Sequence, residues 1–265
     1  MNLIFSRKVN GKSLNYAWRL MATGLCFLLF GLGTLLLALL LTPMTFLLPI
    51  GRQIKSRFAR KMIQLSAWLF VRIMWIMGLL SFEFKGLELL DRQGILIIAN
   101  HPTLLDAIFL MSVIPNATFV VKAAMARNLV TRWMVSLAGY IPNDEGVGLL
   151  ERAAATLKAG NKLMIFPEGT RTDDSGMQFK RGAANIALMA DCLIVPVLID
   201  CQPMTLRKTS KWYQSPETKP HFYFAVLPDI EIARQIDQNR PSGIQARQLT
   251  AIMQTRLADE LRQLG

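Results

Sequence analysis

A long uncharged run near the amino terminus limits what this chain can fold into. Between Leu20 and Ile50 there is no charged side chain, and about 20 apolar residues are enough to cross the hydrocarbon core of a bilayer. The run therefore exceeds one crossing, and Pro43 and Pro49 are expected to break its second half. Because basic residues flank the run on both sides, the positive-inside tendency does not orient a single span. A single span and a re-entrant hairpin with both ends in the cytoplasm both remain open.

Charge is distributed as unevenly as hydropathy. The 265-residue chain has a net charge of +12, and residues 1–82 contain ten Lys or Arg but no Asp or Glu. Apolar positions from Ile54 to Leu80 step by three or four, which predicts a second helix at the membrane interface, with Arg72 snorkelling or paired. A buried core helix is the alternative. We therefore interpret residues 1–82 as a basic, helical membrane-anchoring region. Nucleic-acid binding is the rival interpretation, but the basic residues flank long apolar runs, so no nucleic-acid partner is expected.

From Glu83 onward, short apolar runs alternate with helical patterns. Five runs are typical of strands, at 95–99, 118–121, 163–166, 193–199 and 221–226. Helical spacing occurs at 104–113, 149–159 and 182–190, and again in the tail at 242–264. This alternation predicts an α/β domain over residues 83–265. Its sheet should be mixed and largely parallel, flanked by helices and preceded by the membrane-embedded helical segment.

A histidine and an aspartate follow the first of these strands. His101 stands at the carboxyl end of a strand, where open α/β sheets place their ligands, and Asp106 comes five residues later. With Thr103 as the expected helix N-cap, Asp106 falls in the first helical turn and can reach back to the imidazole. A carboxylate on one ring nitrogen leaves the other as a general base for an alcohol that attacks a thioester. The same pair could also be a purely structural contact at a strand end.

A second polar string, residues 166–171, ends the strand-like run at 163–166. Within it, Gly169 permits close backbone approach, and the planar guanidinium of Arg171 suits a phosphate group. Further along, Lys180 and Arg181 precede a predicted helix and could add positive charge. The first backbone N–H groups of that helix are additional donors for an anion.

Together the two strings resemble those of the acyltransferase family that adds acyl chains to lysophosphatidic acid and related lipids. In that family the HxxxxD box carries catalysis, which implies catalytic roles for His101 and Asp106. The FPEGTR box binds the acceptor, which implies a substrate-binding set of Glu168, Gly169, Thr170 and Arg171, joined by Lys180 and Arg181. Val195 and Pro196 resemble a further block that lines the acyl pocket. Judged by residue type alone, Glu168 and Arg171 could instead pair with each other and shape the loop.

The resemblance implies a membrane-bound O-acyltransferase. It would move a fatty acyl group from acyl-CoA or acyl-carrier protein to the hydroxyl of a lysophospholipid, with 1-acyl-glycerol-3-phosphate as the leading acceptor. The thioester is a co-substrate, so no cofactor and no metal are expected, and the three cysteines match no metal spacing. The expected partners are the lipid acceptor, the thioester donor and the membrane. Because such thioesters are made in the cytoplasm, we expect a cell (inner) membrane location with the catalytic domain on the cytoplasmic face.

One block departs from the family pattern. The family's second block runs from a glycine to an arginine that contacts the acceptor's phosphate, whereas residues 139–145 here end in Asp144 and Glu145. A different lipid or a specialised alcohol therefore remains open as the acceptor. A non-catalytic lipid-binding scaffold is the other alternative, and the intact pair of His101 and Asp106 argues against it. The chain contains no GxSxG elbow and no HExxH motif, so a lipase or metalloprotease has no local support.

Overall fold

Seven strands form one sheet in the computed structural model, which describes residues 8–9, 12–47, 49, 51–143, 147–173, 175–211, 213–214, 216–237 and 239–264. The strands are β1 (Lys8–Val9), β2 (Lys12–Ser13), β3 (Ser81–Lys85), β4 (Leu96–Ala99), β5 (Thr118–Val121), β6 (Ile141–Pro142), β7 (Leu163–Ile165), β8 (Ile194–Gln202) and β9 (His221–Val226). The helices are α1 (Leu14–Leu47), α2 (Arg52–Ile76), α3 (Asp106–Val113), α4 (Ala123–Arg127), α5 (Arg132–Ala138), α6 (Val147–Lys158), α7 (Gly182–Ala190), α8 (Ile232–Gln235) and α9 (Ser242–Leu264). The short strands β1 and β2 pair only with each other.

The large sheet is mixed and mainly parallel. Its strand order is β3-β9-β8-β4-β7-β5-β6, and β8 with β9 is its antiparallel pair. Strands β3 and β9 therefore run against the other five, which confirms the predicted fold class. Strands β3 and β6 are not among the predicted strands, because β6 has two residues and β3 is an edge strand without fully buried side chains. β3 begins at Ser81, inside the region assigned to the membrane anchor.

Apolar layers cover both faces of the sheet. Successive side chains of a strand point to opposite faces, so Ile97 and Ala99 of β4 join one layer, while Leu96 and Ile98 join the other. The first layer contains α1, α2, α3 and α5, and the second contains α6, α7, α8 and α9. Side chains of α2 thus belong to the same hydrophobic layer as side chains of the central strand β4.

Helices α1 and α2 form an antiparallel hairpin on the first layer. The indole N–H of Trp18, near the start of α1, donates to the carbonyl of Met77, just after the end of α2, at 3.0 Å. The two helices are joined by the short link at residues 48–51. The start of α1 and the end of α2 therefore lie side by side.

The hairpin differs from the sequence expectation in where its elements end. Pro43 lies inside α1 and does not break it, since α1 runs on for one further turn to Leu47. The uncharged run is thus one continuous helix through Leu47, and the expected break at Pro43 is wrong. Helix α2 ends at Ile76, earlier than the predicted Leu80, because Gly78 adopts a left-handed conformation with φ of 73°.

Helix α1 has one buried stripe and a broad exposed apolar side. Of the described residues, those from Asn15 to Pro43 form a helix that is long and apolar enough to cross a membrane. The buried stripe consists of Ala22, Cys26, Ala38 and Leu41. On the opposite side, Leu36 is 61% exposed and Leu40 is 74% exposed. Such a continuous exposed apolar surface is typical of a site that contacts a lipid or another protein.

Candidate active site

Three polar segments meet at the carboxyl ends of neighbouring strands. β4 pairs with β7, and β7 pairs with β5, all in parallel. His101 follows β4, residues 166–171 follow β7, and Lys122 follows β5. The sheet therefore brings together residues that are far apart in sequence, at the edge where α/β folds bind ligands.

His101 and Asp106 form the pair that their spacing predicts. Nδ1 of the imidazole lies 2.9 Å from Oδ2 of Asp106. Because an ionised carboxylate only accepts hydrogen bonds, Nδ1 carries the proton and donates it to this contact. Nε2 then keeps its lone pair, so His101 is prepared to act as a base.

The carboxylate of Asp106 is completely buried and held by Thr103. The backbone N–H of Thr103 donates to Oδ2 at 2.7 Å, and the hydroxyl of Thr103 donates to Oδ1. Burial raises the pKa of the Asp106 carboxyl, and the hydrogen bonds from His101 and Thr103 oppose that shift. The expectation that Thr103 is the helix N-cap is wrong, because α3 begins at Asp106 with Leu105 as its cap. The hydroxyl of Thr103 donates to the carboxylate of Asp106 instead.

Asn100, which the sequence reading did not single out, fixes the end of β4. Its amide donates to the carbonyl of Ile199 at 2.7 Å and accepts from the N–H of Ile199 at 2.8 Å. The side chain thereby continues the β4–β8 pairing one residue beyond the strand. Because Asn100 directly precedes His101, this double contact sets where the imidazole leaves the sheet.

The segment after β7 holds His101 from a second side. The ring of Phe166 stacks on the imidazole, with centroids 4.1 Å apart and planes inclined by 18°. Oε1 of Glu168 accepts the backbone N–H of His101 at 2.8 Å and the hydroxyl of Thr172 at 2.9 Å. Glu168 is buried, and this burial raises the pKa of its carboxyl. The carboxylate therefore contacts the histidine backbone.

Arg171 is bound to a different part of the chain. Its Nη1 donates to the carbonyls of Leu206 and Arg207 at 3.0 and 2.9 Å. This contact ties the loop after β8 to the segment after β7, while the side chain also borders the cavity described below. Glu168 and Arg171 thus bind different partners and do not form the ion pair that was the alternative.

Gly169 and Lys180 lie against each other. Gly169 has a φ of 69°, and a Cβ added there would lie 3.2 Å from Nζ of Lys180. A larger residue would thus strain the backbone and displace the ammonium group. Thr170 and Lys180 both border the cavity. Arg181, at the cap of α7, is exposed and is not among the residues that line it.

A cavity of about 700 Å³ connects these residues with the α1–α2 hairpin. Its polar end is lined by His101, Lys122, Thr170, Arg171, Lys180 and Asn185. Its apolar part is lined by Phe27 and Phe30 of α1, Phe70 and Met74 of α2, and Ile108 and Met111 of α3. Among the described residues that line it there is no Asp or Glu. The cavity lining thus combines apolar side chains from three helices with cationic side chains and the imidazole of His101.

The predicted acyl-pocket residues lie elsewhere. Val195 and Pro196 belong to β8, in register with Ile97 and Ile98 of β4, and neither lines the cavity. Aromatic side chains of α1 and α2, by contrast, do line the cavity. Their part could not be read from a motif, because it depends on how the hairpin packs on the sheet.

Lys122 is a cationic cavity residue that the sequence reading missed. A signal existed, since Lys122 directly follows the strand-like run 118–121, just as His101 follows its own strand. Nearby, Oδ1 of Asn143 accepts the N–H of Ala123 at 3.0 Å, and Asn143 also lines the cavity. Asp144 and Glu145, where the resembled family has its arginine, lie outside the described residues.

Comparison with known proteins agrees with this geometry. A family model described as Acyltransferase matches residues 81–200. The chain is 29% identical to a chloroplastic 1-acyl-sn-glycerol-3-phosphate acyltransferase from Brassica napus over 66% of its own length and 52% of the relative's. It is 29% identical to the Saccharomyces cerevisiae 1-acyl-sn-glycerol-3-phosphate acyltransferase over 51% and 48% of the two lengths. The chain spans about half the length of these curated relatives.

A solved structure shares the fold. The crystal structure of the 1-acyl-sn-glycerophosphate acyltransferase PlsC from Thermotoga maritima superposes with a TM-score of 0.65 at 18% identity. The match covers 92% of this chain and 99% of that one. At this identity the likeness concerns the fold, and it includes the hairpin because so little of the chain is left out.

Proposed function

We propose that this chain, whose residues 81–200 match the Acyltransferase family model, transfers a fatty acyl group from a thioester to a lipid hydroxyl. The observation that carries this proposal is the hydrogen bond between Asp106 and His101, which leaves Nε2 as a base beside a cavity with apolar and cationic ends. The donor would be acyl-CoA or acyl-carrier protein. The leading acceptor is 1-acyl-glycerol-3-phosphate, the substrate in the names of the relatives.

In the proposed reaction, His101 moves one proton twice. Nε2 removes the proton of the acceptor hydroxyl while its oxygen bonds to the thioester carbonyl carbon. When the tetrahedral intermediate collapses, the carbon–sulfur bond breaks and the imidazolium returns the proton to the departing thiolate. Asp106 keeps Nδ1 protonated and stabilises the transient imidazolium. The products are an ester and a free thiol.

The cavity suggests how two lipid-like substrates would be arranged. Acyl chains fit the apolar part between α1, α2 and α3. A phosphate would lie near Lys122, Arg171 and Lys180, whose positive charges face no described carboxylate in the cavity lining. The first residues of α7 also border the cavity and could add backbone donors. The reacting hydroxyl would then lie between these ends, beside His101.

A lipid or specialised alcohol without a phosphate is the second candidate acceptor. It is favoured by one observation, the acidic Asp144 and Glu145 where the resembled family has an arginine. Three other cations border the cavity, however, so the phosphate-bearing acceptor stays the leading proposal. A scaffold without turnover would have no use for the buried Asp106 and its hydrogen bond to His101.

We propose that the α1–α2 hairpin lies along a membrane surface. The exposed apolar side of α1 would face the acyl chains, whereas α2 begins with Arg52, Lys55, Arg57, Arg60 and Lys61. Charges at the bend of the hairpin make its insertion tip-first into the bilayer unfavourable. A hairpin lying flat instead keeps them near the head groups. The catalytic domain would then face the cytoplasm, where the thioesters are made.

The direct test is an acyl-transfer assay with the full-length protein in vesicles. Radiolabelled acyl-CoA and acyl-carrier-protein donors are offered with 1-acyl-glycerol-3-phosphate, other lysophospholipids and long-chain alcohols. We expect ester formation that depends on one donor class and is fastest with the phosphate-bearing acceptor. If no donor and acceptor pair gives an ester above the His101→Ala background, the proposed function is wrong.

Two adjacent cations test the position of the acceptor's phosphate. Lys180 lines the cavity and Arg181 does not. Lys180→Ala should raise the KM for 1-acyl-glycerol-3-phosphate roughly threefold to tenfold, a modest factor because water screens this exposed ammonium. Arg181→Ala is the matched control and should change that KM less. Equal effects of the two variants would mean that only the general positive field matters.

A further inference from the structure

A second segment without acidic residues lies beside the hairpin. Residues 107–143 contain Lys122, Arg127 and Arg132 but no Asp or Glu. The segment includes α4 and α5, and α5 packs against both α1 and α2. This basic segment therefore lies next to α1, the helix with the largest exposed apolar surface.

The turn between α4 and α5 exposes a large apolar side chain. Leu129 is 73% exposed and Met125 is 38% exposed. Outside α1 and α2, no other large apolar side chain among the described residues is as exposed as Leu129, and Ile244 follows at 48%. Two exposed apolar side chains, one on α4 and one on the turn after it, thus precede α5, the helix that packs against α1.

The backbone of this turn is internally hydrogen-bonded. Oδ1 of Asn128 accepts the N–H groups of Val130 and Thr131 at 2.9 and 3.3 Å, and its carbonyl accepts the N–H of Arg132 at 2.9 Å. The hydroxyl of Thr131 donates to the carbonyl of Met125 at 2.6 Å. Backbone groups that enter an apolar phase must be satisfied within the protein. These bonds satisfy several polar groups of the turn, while its leucine projects outward.

We propose that residues 123–133 form a second membrane contact, in which the turn dips into the interface of an anionic bilayer beside α1. Leu129 and Met125 would enter the apolar boundary, and Arg127 would meet the lipid phosphates. The guanidinium of Arg132 lies 5.2 Å from the ring centroid of Trp133, a pair of residue types suited to the interface. This inference rests on the membrane attachment in the proposed function.

This membrane contact would place the cavity next to the bilayer that holds the lysolipid. Lys122 and Met125 line the cavity and belong to the same short stretch as Leu129. Thr23, Phe27 and Phe30 of α1 line it as well. With both α1 and the turn in the interface, a lysolipid could pass from the bilayer to His101 with its phosphate beside Lys122.

Depth-dependent fluorescence quenching tests the proposal in the full chain. A fluorophore is attached to Leu129→Cys after Cys26, Cys192 and Cys201 are replaced by Ala, provided this parent retains acyl transfer. The protein is reconstituted into phosphatidylcholine–phosphatidylglycerol vesicles whose lipids carry nitroxide quenchers at known depths. Leu40→Cys on α1 is the positive control. Ile244→Cys on α9, which packs on the opposite face of the sheet, is the negative control.

We expect shallow nitroxides to quench the label at position 129 several times more than the label at position 244. Quenching at position 40 without quenching at position 129 overturns this inference and leaves the membrane attachment and acyl transfer intact. Absence of quenching at both positions overturns the attachment as well. Quenching that depends on the protein-to-lipid ratio but not on nitroxide lipid would assign the turn to a second copy of the chain, and it would also overturn the inference.

A kinetic arm uses residues outside the cavity lining. Arg127→Gln should raise the apparent KM for a bilayer-presented lysolipid by about fivefold, the effect of one basic residue near an anionic surface. Leu129→Asp should raise it further, while kcat with a short-chain acceptor in free solution stays unchanged. Ile244→Asp is the matched control. An equal loss with both acceptors would indicate a structural role and contradict the proposal.

Discussion

At the scale of single residues, His101 is positioned by contacts from two strand ends. Asp106 and Thr103 act from its own loop, through a buried carboxylate. Phe166 and Glu168 act from the loop after β7, on the ring and on the backbone respectively. The imidazole therefore has little freedom to rotate, which favours a fixed direction for Nε2.

Replacing either member of the pair should abolish most of the turnover. His101→Ala removes the base, so the acyl-transfer rate should fall by at least about 10³-fold. Asp106→Asn should lower kcat on the order of 10² to 10⁴, because an amide can donate to Nδ1 and so stabilise the tautomer whose Nε2 is protonated. Asp173→Asn, at a carboxylate that pairs with Lys208, is the control. Wild-type rates for His101→Ala would refute the mechanism.

Glu168 should make the free energy of unfolding depend on pH. Burial raises the pKa of its carboxyl in the folded state, so as pH rises past about 4.3 the unfolded chain ionises first. The folded wild type therefore loses free energy of unfolding as pH rises, until the pH exceeds the folded-state pKa. Glu168→Gln keeps an oxygen acceptor for the N–H of His101 but does not titrate. The free energy of unfolding of Glu168→Gln, relative to that of the wild type, should thus increase as pH rises.

Urea denaturation of both proteins at a series of pH values from the acid range to neutrality measures this difference. Glu88→Gln, at an exposed carboxylate, is the matched control and should follow the wild type. If the wild type instead gains on Glu168→Gln with rising pH, the ionised carboxylate is favoured by its two hydrogen bonds and burial is the weaker effect.

The residues of the site differ in how far they could be predicted. The contact of Asp106 with His101 is local, and the spacing of the two residues was enough to predict it. The contact of Glu168 with the backbone of His101 depends on β4 and β7 being neighbours. The sequence placed both residues at strand ends but did not order the strands. It therefore suggested a substrate contact or an ion pair with Arg171 for a carboxylate that in fact holds His101.

At the scale of elements, α1 and α2 determine the apolar end of the cavity. Phe30 of α1 and Phe70 of α2 both line it, with ring centroids 5.3 Å apart. Phe30→Ala should lengthen the space available to an acyl chain. Since each buried methylene contributes about 0.8 kcal/mol, the kcat/KM ratio for a donor two carbons longer should rise on the order of tenfold.

A series of thioesters of increasing chain length measures this preference. Leu36→Ala changes an exposed residue of the same helix that does not line the cavity, and it should leave the preference unchanged. If Phe30→Ala lowers the rate for all chain lengths by one common factor, the pair supports the hairpin and does not select the chain.

Elements were predictable where their patterns are long. The runs that became β4, β5, β7, β8 and β9 lie close to their expected bounds, and so do α3, α7 and α9. By contrast, α4 and α5 were missed because each has seven residues or fewer, too short for a clear period. The break expected at Pro43 failed because one missing N–H near a helix end does not outweigh the packing of Leu41.

At the scale of the whole molecule, the two layers that cover the sheet differ in their outer surfaces. The first layer includes the hairpin with its exposed leucines, whereas the second is closed by α9, whose outer positions are largely polar. The boundary expected at residue 82 does not separate two cores, since α2 packs into the first layer. Composition showed that residues 1–82 are basic and apolar, but not that they also complete the catalytic domain.

Membrane extraction should reflect this division. The full-length protein should stay in the membrane pellet in high salt and in alkaline carbonate, because apolar burial of α1 outweighs the basic residues. Combining Leu36→Glu with Leu40→Glu should release much of it, since charged side chains would replace the apolar ones that enter the boundary between head groups and acyl chains. The matched control is Ile244→Glu with Leu264→Glu on α9. Quantitative release of the unaltered protein by carbonate would contradict the proposed burial of the apolar side of α1 in the membrane.

The stacking of Phe166 on His101 also gives the site a magnetic signature. Protons above the face of an aromatic ring are shielded by its circulating π electrons. The carbon-bound protons of the His101 imidazole should therefore resonate upfield of those of His221, whose Nδ1 lies 3.0 Å from the hydroxyl of Ser81. Because the chain has two histidines, their resonances can be told apart without isotopic dilution. The base of the proposed reaction can thus be observed directly while it takes up and releases its proton.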